Sequence, residues 1–201
     1  NIIIFAHRLI PRKNGVIFAK AARRFLAGHP DWRVLIRGEG PDENEIKKIL
    51  LHEIKNGQVS VGYVADLPSE LRRSRIFVSL IVPDNYPSQS VVEAMICGNA
   101  LLLSDSGLSR EKFFDKNGIV TSINEDNIVE NLNYLISNSE SLSEMCAKSA
   151  FLAERRFSQI AYLRHLFQLY SESGFSVNAA ALEQIEQQVS TRRDILLRSS
   201  V

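Results

Sequence analysis

The sequence predicts an α/β fold, a Rossmann-like three-layer sandwich in which helices cover both faces of a mainly parallel six-stranded sheet. Short apolar runs alternate with amphipathic stretches along most of the chain, which is typical of βαβ units with right-handed crossovers. The first run, residues 2–5, is apolar at consecutive positions, as strands buried on both faces are. With 201 residues, 45% of them hydrophobic, the chain has the composition of one soluble domain with an appendage.

The first part of the chain predicts four strands and three helices. Apolar runs place the strands at residues 1–6, 32–37, 58–61 and 76–80. Apolar residues at helical spacing, together with proline at a first turn, place the helices at residues 16–27, 42–55 and 67–73. Ile17, Ala21 and Phe25 share one face of the first helix, and Gly28 suits its end.

The rest of the chain predicts two more strands, at residues 100–103 and 118–121. The helices that the pattern indicates here are 89–97, 110–114, 125–137, 140–154 and 158–172. After Gly174 the composition changes, and residues 179–198 predict one polar helix with few apolar positions, which we interpret as an arm that packs on a partner domain or chain. The expected organisation is a Rossmann-like domain at 1–174 and a helical arm at 175–201.

Composition excludes several classes of function. The net charge is only +1, so the chain has no bulk attraction for nucleic acid or anionic lipid. Its two cysteines show no metal-ligand spacing and its four histidines are dispersed, so neither a metal site nor a disulfide framework is expected. A reducing cytoplasm is therefore the expected location. The chain starts almost inside a predicted strand, and we therefore interpret it as a piece of a longer protein.

Two loops that follow predicted strands carry the charged residues of interest. Arg8 and Lys13 lie five positions apart after the first strand. Asp84 follows the fourth strand, and Glu93 lies in the helix that comes next. The carboxyl ends of parallel strands share one rim of the sheet, where ligands bind, and the amide groups of a helix start favour phosphate. These residues predict a phosphate site with two carboxylates nearby.

Residues 83–98, PDNYPSQSVVEAMICG, resemble the donor-binding segment of retaining GT-B glycosyltransferases of the GT4 type (group 1). Four further features occur in the family's order, and the resemblance covers roughly residues 1–172. They are the Arg8/Lys13 pair, Gly38-x-Gly40-Pro41, Gly62-Tyr63-Val64 and the segment 104–107. The family usually leaves seven residues between its two acids, whereas Asp84 and Glu93 leave eight, and strict spacing selects Asn85 instead.

The resemblance implies one half of a GT-B fold, the half that binds the sugar donor, and assigns roles to its residues. Arg8 and Lys13 would grip the diphosphate, and Asp84 would contact the transferred sugar. The residues implied in donor binding are Gly38 and Gly40 by close approach, Val64 at the base, Ser88, Gln89, Ser90 and Val91 by amide groups at the diphosphate, and Glu93 at the ribose hydroxyls.

The same resemblance implies the substrates and the setting. The donor would be a nucleoside diphosphate sugar, UDP- or GDP-linked, and the acceptor a glycan or a lipid-linked glycan. An N-terminal acceptor domain would complete the enzyme, without a bound cofactor, metal or nucleic acid. Bacterial surface polysaccharide synthesis in the cytoplasm, at the inner face of the membrane, is the setting that the family suggests.

Simpler interpretations stay open for each residue. Arg8 and Lys13 suit a solvated loop, Asp84 suits a turn before Asn-Tyr-Pro, and Gly38-x-Gly40 suits a structural turn. Ser90-x-x-Glu93 also matches a capping box, in which the carboxylate closes its own helix. For the whole chain the alternatives are a non-catalytic scaffold and an NAD-dependent oxidoreductase domain, although the glycine fingerprint of the latter is missing after the first strand.

Overall fold

The computed structural model describes residues 1–83, 88–112, 116–176, 178, 180, 181, 183–185, 187 and 189. In this part of the chain six parallel strands form one sheet in the order β3-β2-β1-β4-β5-β6, flanked by helices, which confirms the predicted α/β class. The strands are β1 (Ile2–Ala6), β2 (Arg33–Arg37), β3 (Val59–Gly62), β4 (Ile76–Ser79), β5 (Ala100–Ser104) and β6 (Gly118–Thr121).

Eight α-helices of the described residues follow the predicted pattern closely. They are α1 (Gly15–Gly28), α2 (Glu43–Ile49), α3 (Leu51–Lys55), α4 (Leu67–Arg73), α5 (Gln89–Ile96), α6 (Glu125–Ser137), α7 (Ser139–Phe157) and α8 (Gln159–Glu172). The prediction of a single helix over residues 42–55 was wrong in one respect. Leu50 leaves the helical conformation, with φ −99° and ψ 19°, and separates α2 from α3. Short 3-10 helices form at Pro11–Lys13 and Ser109–Lys112.

The strand order places a switch point at the centre of the sheet. The chain moves from β1 outward to β3, then returns to β4 on the other side of β1 and continues outward to β6. The loops that follow β1 and β4 therefore leave neighbouring strands at the same rim and diverge to opposite sides. Ligands of open α/β sheets bind at such a crevice.

Strand residues alternate between two apolar layers. On one face the β1 residues Ile3 and Phe5 lie in the main core with Phe18 and Phe25 of α1, and the rings of Phe5 and Phe18 stack with centroids 5.2 Å apart. Helices α1 and α6 pack against each other in this layer. Ile4 faces the other way and is equally buried. Burial on both faces explains why β1 is apolar at consecutive positions.

Contacts divide the chain into two compact units, Asn1–Phe151 and Leu152–Val201. The first unit contains the sheet. The second contains α8, whose first turn is capped by the Ser158 hydroxyl, which accepts a hydrogen bond from the Ala161 amide. The domain boundary predicted at residue 174 stays a prediction, and much of the predicted arm at 179–198 lies outside the described residues.

None of the helices in the described part of the chain combines the length and the apolar character that crossing a lipid bilayer requires.

The stacked core predicts a large cost for truncating Phe18. The side chain is fully buried, so Phe18→Ala should lower the free energy of unfolding by about 3–5 kcal/mol. Tyr134→Ala removes an aromatic ring that is 62% exposed and should change it by less than about 0.5 kcal/mol. Urea unfolding of both variants measures the difference, and equal losses would contradict the proposed position of the core.

Candidate functional site

The loop after β1 is tied to the end of β4. The 3-10 helix Pro11–Lys13 ends at Asn14, whose left-handed conformation (φ 56°) starts α1. The Asn14 side-chain amide donates to the Leu80 carbonyl at 2.6 Å, and the Val82 amide donates to the Arg12 carbonyl at 3.0 Å. These bonds hold the loop at residues 7–14, called the basic loop from here on, beside residues 80–82.

Gly38 and Gly40 allow the loop after β2 to contact the same basic loop. Both have positive φ, and a Cβ atom would lie 2.0 Å from the His7 carbonyl oxygen at Gly38 and 2.2 Å from the Leu9 carbonyl oxygen at Gly40. The Leu9 amide donates to the Glu39 carbonyl at 2.9 Å. The two glycines therefore serve backbone-to-backbone packing between loops, and only glycine fits there.

Positive charge concentrates in the basic loop. Lys13 is buried, at 7% exposure, although it carries an ammonium group. Burial lowers its pKa, and the charges of Arg12 and Arg8 lower the pKa further. Among the described residues no carboxylate forms an ion pair with any of these three side chains. The loop therefore holds crowded cations that an anion would stabilise.

The start of α5 adds partial positive charge to the same rim. Ser88 is the N-cap, and its side chain makes no capping hydrogen bond. Its carbonyl accepts the amide of Val91 at 3.1 Å, so that amide is already engaged. The amides of Gln89 and Ser90 have no acceptor within the described residues, and they are the ones that the helix start can offer to an anion.

The two predicted acids have different outcomes. Glu93 is half-buried on α5 and accepts a hydrogen bond from the Gln89 side-chain amide at 2.9 Å. It does not form the capping box, because Ser88 rather than Ser90 is the N-cap. No described hydrogen bond or ion pair joins Glu93 to the basic loop. Asp84 and the alternative Asn85 lie outside the described residues, so the role implied for Asp84 stays a prediction.

Val64, implied at the nucleotide base, follows the end of β3 and is half-buried. The backbone of this strand end reaches the β2 loop, since the Gly38 amide donates to the Gly62 carbonyl at 3.3 Å. Next to it, Tyr63 is 72% exposed. The ends of β1, β2, β3 and β4 thus meet in one connected rim.

His7 belongs to this rim, although in the sequence it is only one of four dispersed histidines. Its ring lies between Phe5 and Phe77, at centroid distances of 4.9 and 5.5 Å. Its Nδ1 atom is 3.2 Å from the Ser90 hydroxyl oxygen. Burial and the charge of Lys13 lower its pKa to about 3, and a hydrogen bond with the Val78 backbone opposes this change. His7 is therefore neutral at physiological pH.

A separate cavity of about 590 Å³ lies beside β6. Its lining includes Arg110, Asn131, Tyr134 and the strand itself, and none of the predicted site residues. Two of its polar side chains already have partners: Arg110 forms two hydrogen bonds with Asp105, at 2.9 and 2.6 Å, and Asn131 donates to Thr121 at 3.0 Å. No cluster of three or more metal-ligating side chains occurs in the described part of the chain.

The fold and the rim define a class: a Rossmann-like domain whose switch-point loops can hold an anionic ligand. Residues 1–151 match the family described as glycosyl transferases group 1, and the chain belongs to this family. No curated protein matches the chain.

Solved structures share this fold. One is an S. aureus TarM mutant in complex with fondaparinux, α-GlcNAc-glycerol and UDP, with a TM-score of 0.72 and 20% identity over 84% of this chain and 35% of that one. Another is the C-terminal domain of the group 1 protein LpcC from Francisella tularensis, with a TM-score of 0.68 and 24% identity over 79% of this chain and 86% of that one.

A third structure is Anabaena Alr3699/HepE in complex with UDP and glucose. Its TM-score is 0.68 and its identity 18%, over 85% of this chain and 48% of that chain. The chain therefore spans about a third of TarM and about half of HepE, and it is similar to nearly the whole of the separate C-terminal domain of LpcC.

The close approach of the loops predicts that a methyl group at Gly38 or Gly40 displaces the basic loop. Gly38→Ala and Gly40→Ala should each lower the free energy of unfolding by more than about 1 kcal/mol, because the Cβ atom collides with backbone and φ is positive. Gly28→Ala is the control, since a Cβ atom there contacts nothing within 4 Å. Denaturant unfolding compares the three, and a tolerated alanine at Gly38 would contradict the close packing.

The lowered pKa of His7 predicts an acid-dependent loss of stability. Because the unfolded chain binds the proton near pH 6.5 and the folded chain only near pH 3, stability falls as pH decreases through this window and is unaffected above it. The slope from His7 is about 1.4 kcal/mol per pH unit at most.

Urea unfolding of the wild type and of His7→Asn at pH 7.5 and pH 4.5 measures this slope. The wild type should lose more stability than the variant between the two values, because asparagine does not titrate. Equal losses would show that His7 is not buried in its neutral form.

Proposed function

We propose that the chain is the donor-binding half of a retaining glycosyltransferase. The complete enzyme would transfer a hexose from a nucleoside diphosphate sugar to a glycan or lipid-linked acceptor. The observation that carries the proposal is a buried lysine crowded by two arginines beside the open start of α5, with no carboxylate among the described residues to neutralise it. A diphosphate supplies the missing negative charge.

The chemistry follows from where charge develops. When the bond between the sugar and the diphosphate breaks, negative charge accumulates on the leaving diphosphate. Fixed cations stabilise that charge better than water, because they need no reorganisation at the moment of reaction. In this proposal Arg8 and Lys13 are the cations, and the amides of Gln89 and Ser90 are the neutral donors.

The other residues implied in donor binding have roles that depend on their positions along the rim. Gly38 and Gly40 hold the β2 loop against the basic loop, which brings backbone close to the donor. The backbone beside Val64 lies at the strand end where a base would be read. Glu93 accepts hydrogen bonds from ribose hydroxyls, for which a carboxylate has suitable acceptors. Asp84 contacts the transferred sugar and opposes positive charge on it.

The similar structures support this assignment in two ways. TarM and HepE were solved with UDP, and HepE also with glucose, so a nucleoside diphosphate binds to proteins that contain this fold. This chain spans only part of those proteins, which supports a separate N-terminal domain as the wall that binds the acceptor. Alone, the donor half should bind nucleotide weakly and turn over little or nothing. The setting that we propose is bacterial surface polysaccharide synthesis in the cytoplasm, at the membrane's inner face.

A thermal-shift panel with UDP, GDP, ADP and NAD tests the proposal. A ligand that binds only the folded state raises the melting temperature according to the ratio of its concentration to Kd. We expect a nucleoside diphosphate to stabilise the chain and NAD to leave it unchanged. Stabilisation by NAD alone would instead indicate an oxidoreductase domain. If none of the four ligands raised the melting temperature, the proposal of a donor site would be contradicted.

Lys13→Ala should abolish most of the response to the nucleoside diphosphate. A hydrogen bond from a charged group contributes about 1.5–3 kcal/mol, which corresponds to roughly 10- to 100-fold in Kd. Lys20→Ala is the matched control, because the Lys20 side chain on α1 is 43% exposed and pairs with Glu125 at 3.8 Å. An undiminished response of Lys13→Ala would contradict the assignment of the diphosphate grip.

A further inference from the structure

His7 directly follows β1, a central strand of the sheet, and connects the basic loop to α5. It is 8% exposed, and its Nδ1 atom and the Ser90 hydroxyl oxygen are 3.2 Å apart. The Ser90 hydroxyl is also 3.2 Å from the hydroxyl of Ser88, the N-cap of α5. A continuous chain of polar groups therefore runs from the end of β1 to the first residue of the α5 opening.

We infer that His7 is a positioning residue for the donor diphosphate: through Ser90 it fixes the opening of α5 against the basic loop. The inference rests on the proposed function, because it needs a diphosphate that contacts both elements. The other described hydrogen bonds that the basic loop makes on this side reach Leu80 and Val82, before α5 begins. The hydrogen bond to Ser90 joins them directly.

The arrangement also distinguishes the two donors of Ser90. Its hydroxyl is engaged by His7 on one side and by Ser88 on the other. Its backbone amide has no acceptor among the described residues. Ser90 therefore offers the ligand its amide, and the hydroxyl orients that amide. In this arrangement the Ser90 hydroxyl positions the residue, and the Ser90 backbone amide contacts the ligand.

The imidazole suits this position for reasons of charge and shape. A neutral ring accepts or donates one hydrogen bond without adding a cation to the basic loop, whereas a lysine or arginine here would increase the repulsion on Lys13. Its edge-on packing against Phe5 and Phe77 prevents the ring from turning. Besides the Val78 backbone, which contributes to the pKa of the ring, Ser90 is the side-chain hydrogen-bond partner of His7 in the described part of the chain.

Three variants of the full chain test the inference, with UDP, GDP and ADP as separate probes. His7→Phe keeps the aromatic packing and removes the hydrogen bond, and Ser90→Ala removes it from the other side. Each should weaken binding of the stabilising nucleotide roughly 3- to 10-fold, the range of one neutral hydrogen bond. His7→Asn places a side-chain polar atom near the position of Nδ1 and should recover most of the affinity.

Coupling between the two residues separates positioning from general stability. In a double-mutant cycle, His7→Phe combined with Ser90→Ala should lose no more affinity than Ser90→Ala alone, because the bond between the two residues is already absent in that variant. A residue that only stabilises the fold would lower the melting temperature without ligand and leave Kd unchanged.

His29→Phe is the control substitution. His29 also packs on a phenylalanine, Phe25, at 4.4 Å and hydrogen-bonds a polar side chain, that of Asn133, at 2.8 Å. It follows α1 and precedes β2, at the amino ends of the strands and away from the rim. Its nucleotide response should equal that of the wild type.

The outcomes separate this inference from the proposed function. If the wild type binds a nucleoside diphosphate and both His7→Phe and Ser90→Ala bind it equally well, His7 has no positioning role. If the wild type responds to none of the three nucleotides, the proposed donor site fails and the inference fails with it. If His7→Phe does not fold, Ser90→Ala alone decides, because its small side chain leaves the aromatic packing intact.

Discussion

Backbone contact between the loops after β1 and β2 is the constraint on which the rest of the rim depends. At Gly38 and Gly40 the backbones of the two loops approach so closely that no side chain fits between them. This contact fixes the path of residues 7–9, and that path in turn fixes where the basic loop leaves the sheet. Because the loop is also bonded to the residues after β4, its charged residues are held close to one another at this edge of the sheet.

The cost of this constraint is electrostatic. A buried ammonium group near two guanidinium groups is unfavourable, and the lowered pKa of Lys13 expresses that cost. The fold tolerates it because packing and hydrogen bonds elsewhere hold the loop in place. A site whose own charges repel one another is stabilised when an anion binds there. Preorganisation of this kind allows a protein to stabilise charge that develops during a reaction, since no reorganisation is then needed.

The elements of the fold were predictable because their signals are local. Consecutive apolar residues marked β1, and helical spacing marked α1 and α6 nearly to their ends. The break at Leu50 was missed, because residues 42–55 keep a helical pattern across it. The residues of the rim could be named from motif order and the family resemblance, but their state could not be, since burial and bonding depend on distant parts of the chain.

By itself, the sequence determined the class of fold, the order of its elements and the set of residues placed after the strands. Apolar periodicity and loop composition are properties of short stretches of sequence, so they can be identified without the structure. The tertiary structure alone decided how those residues act together. It buried Lys13, engaged the amide of Val91, made Ser88 the N-cap of α5, and paired His7 with Ser90, 83 positions away. The physical reason is that desolvation and hydrogen bonding are set by neighbours in space, and parallel crossovers bring those neighbours from far along the chain.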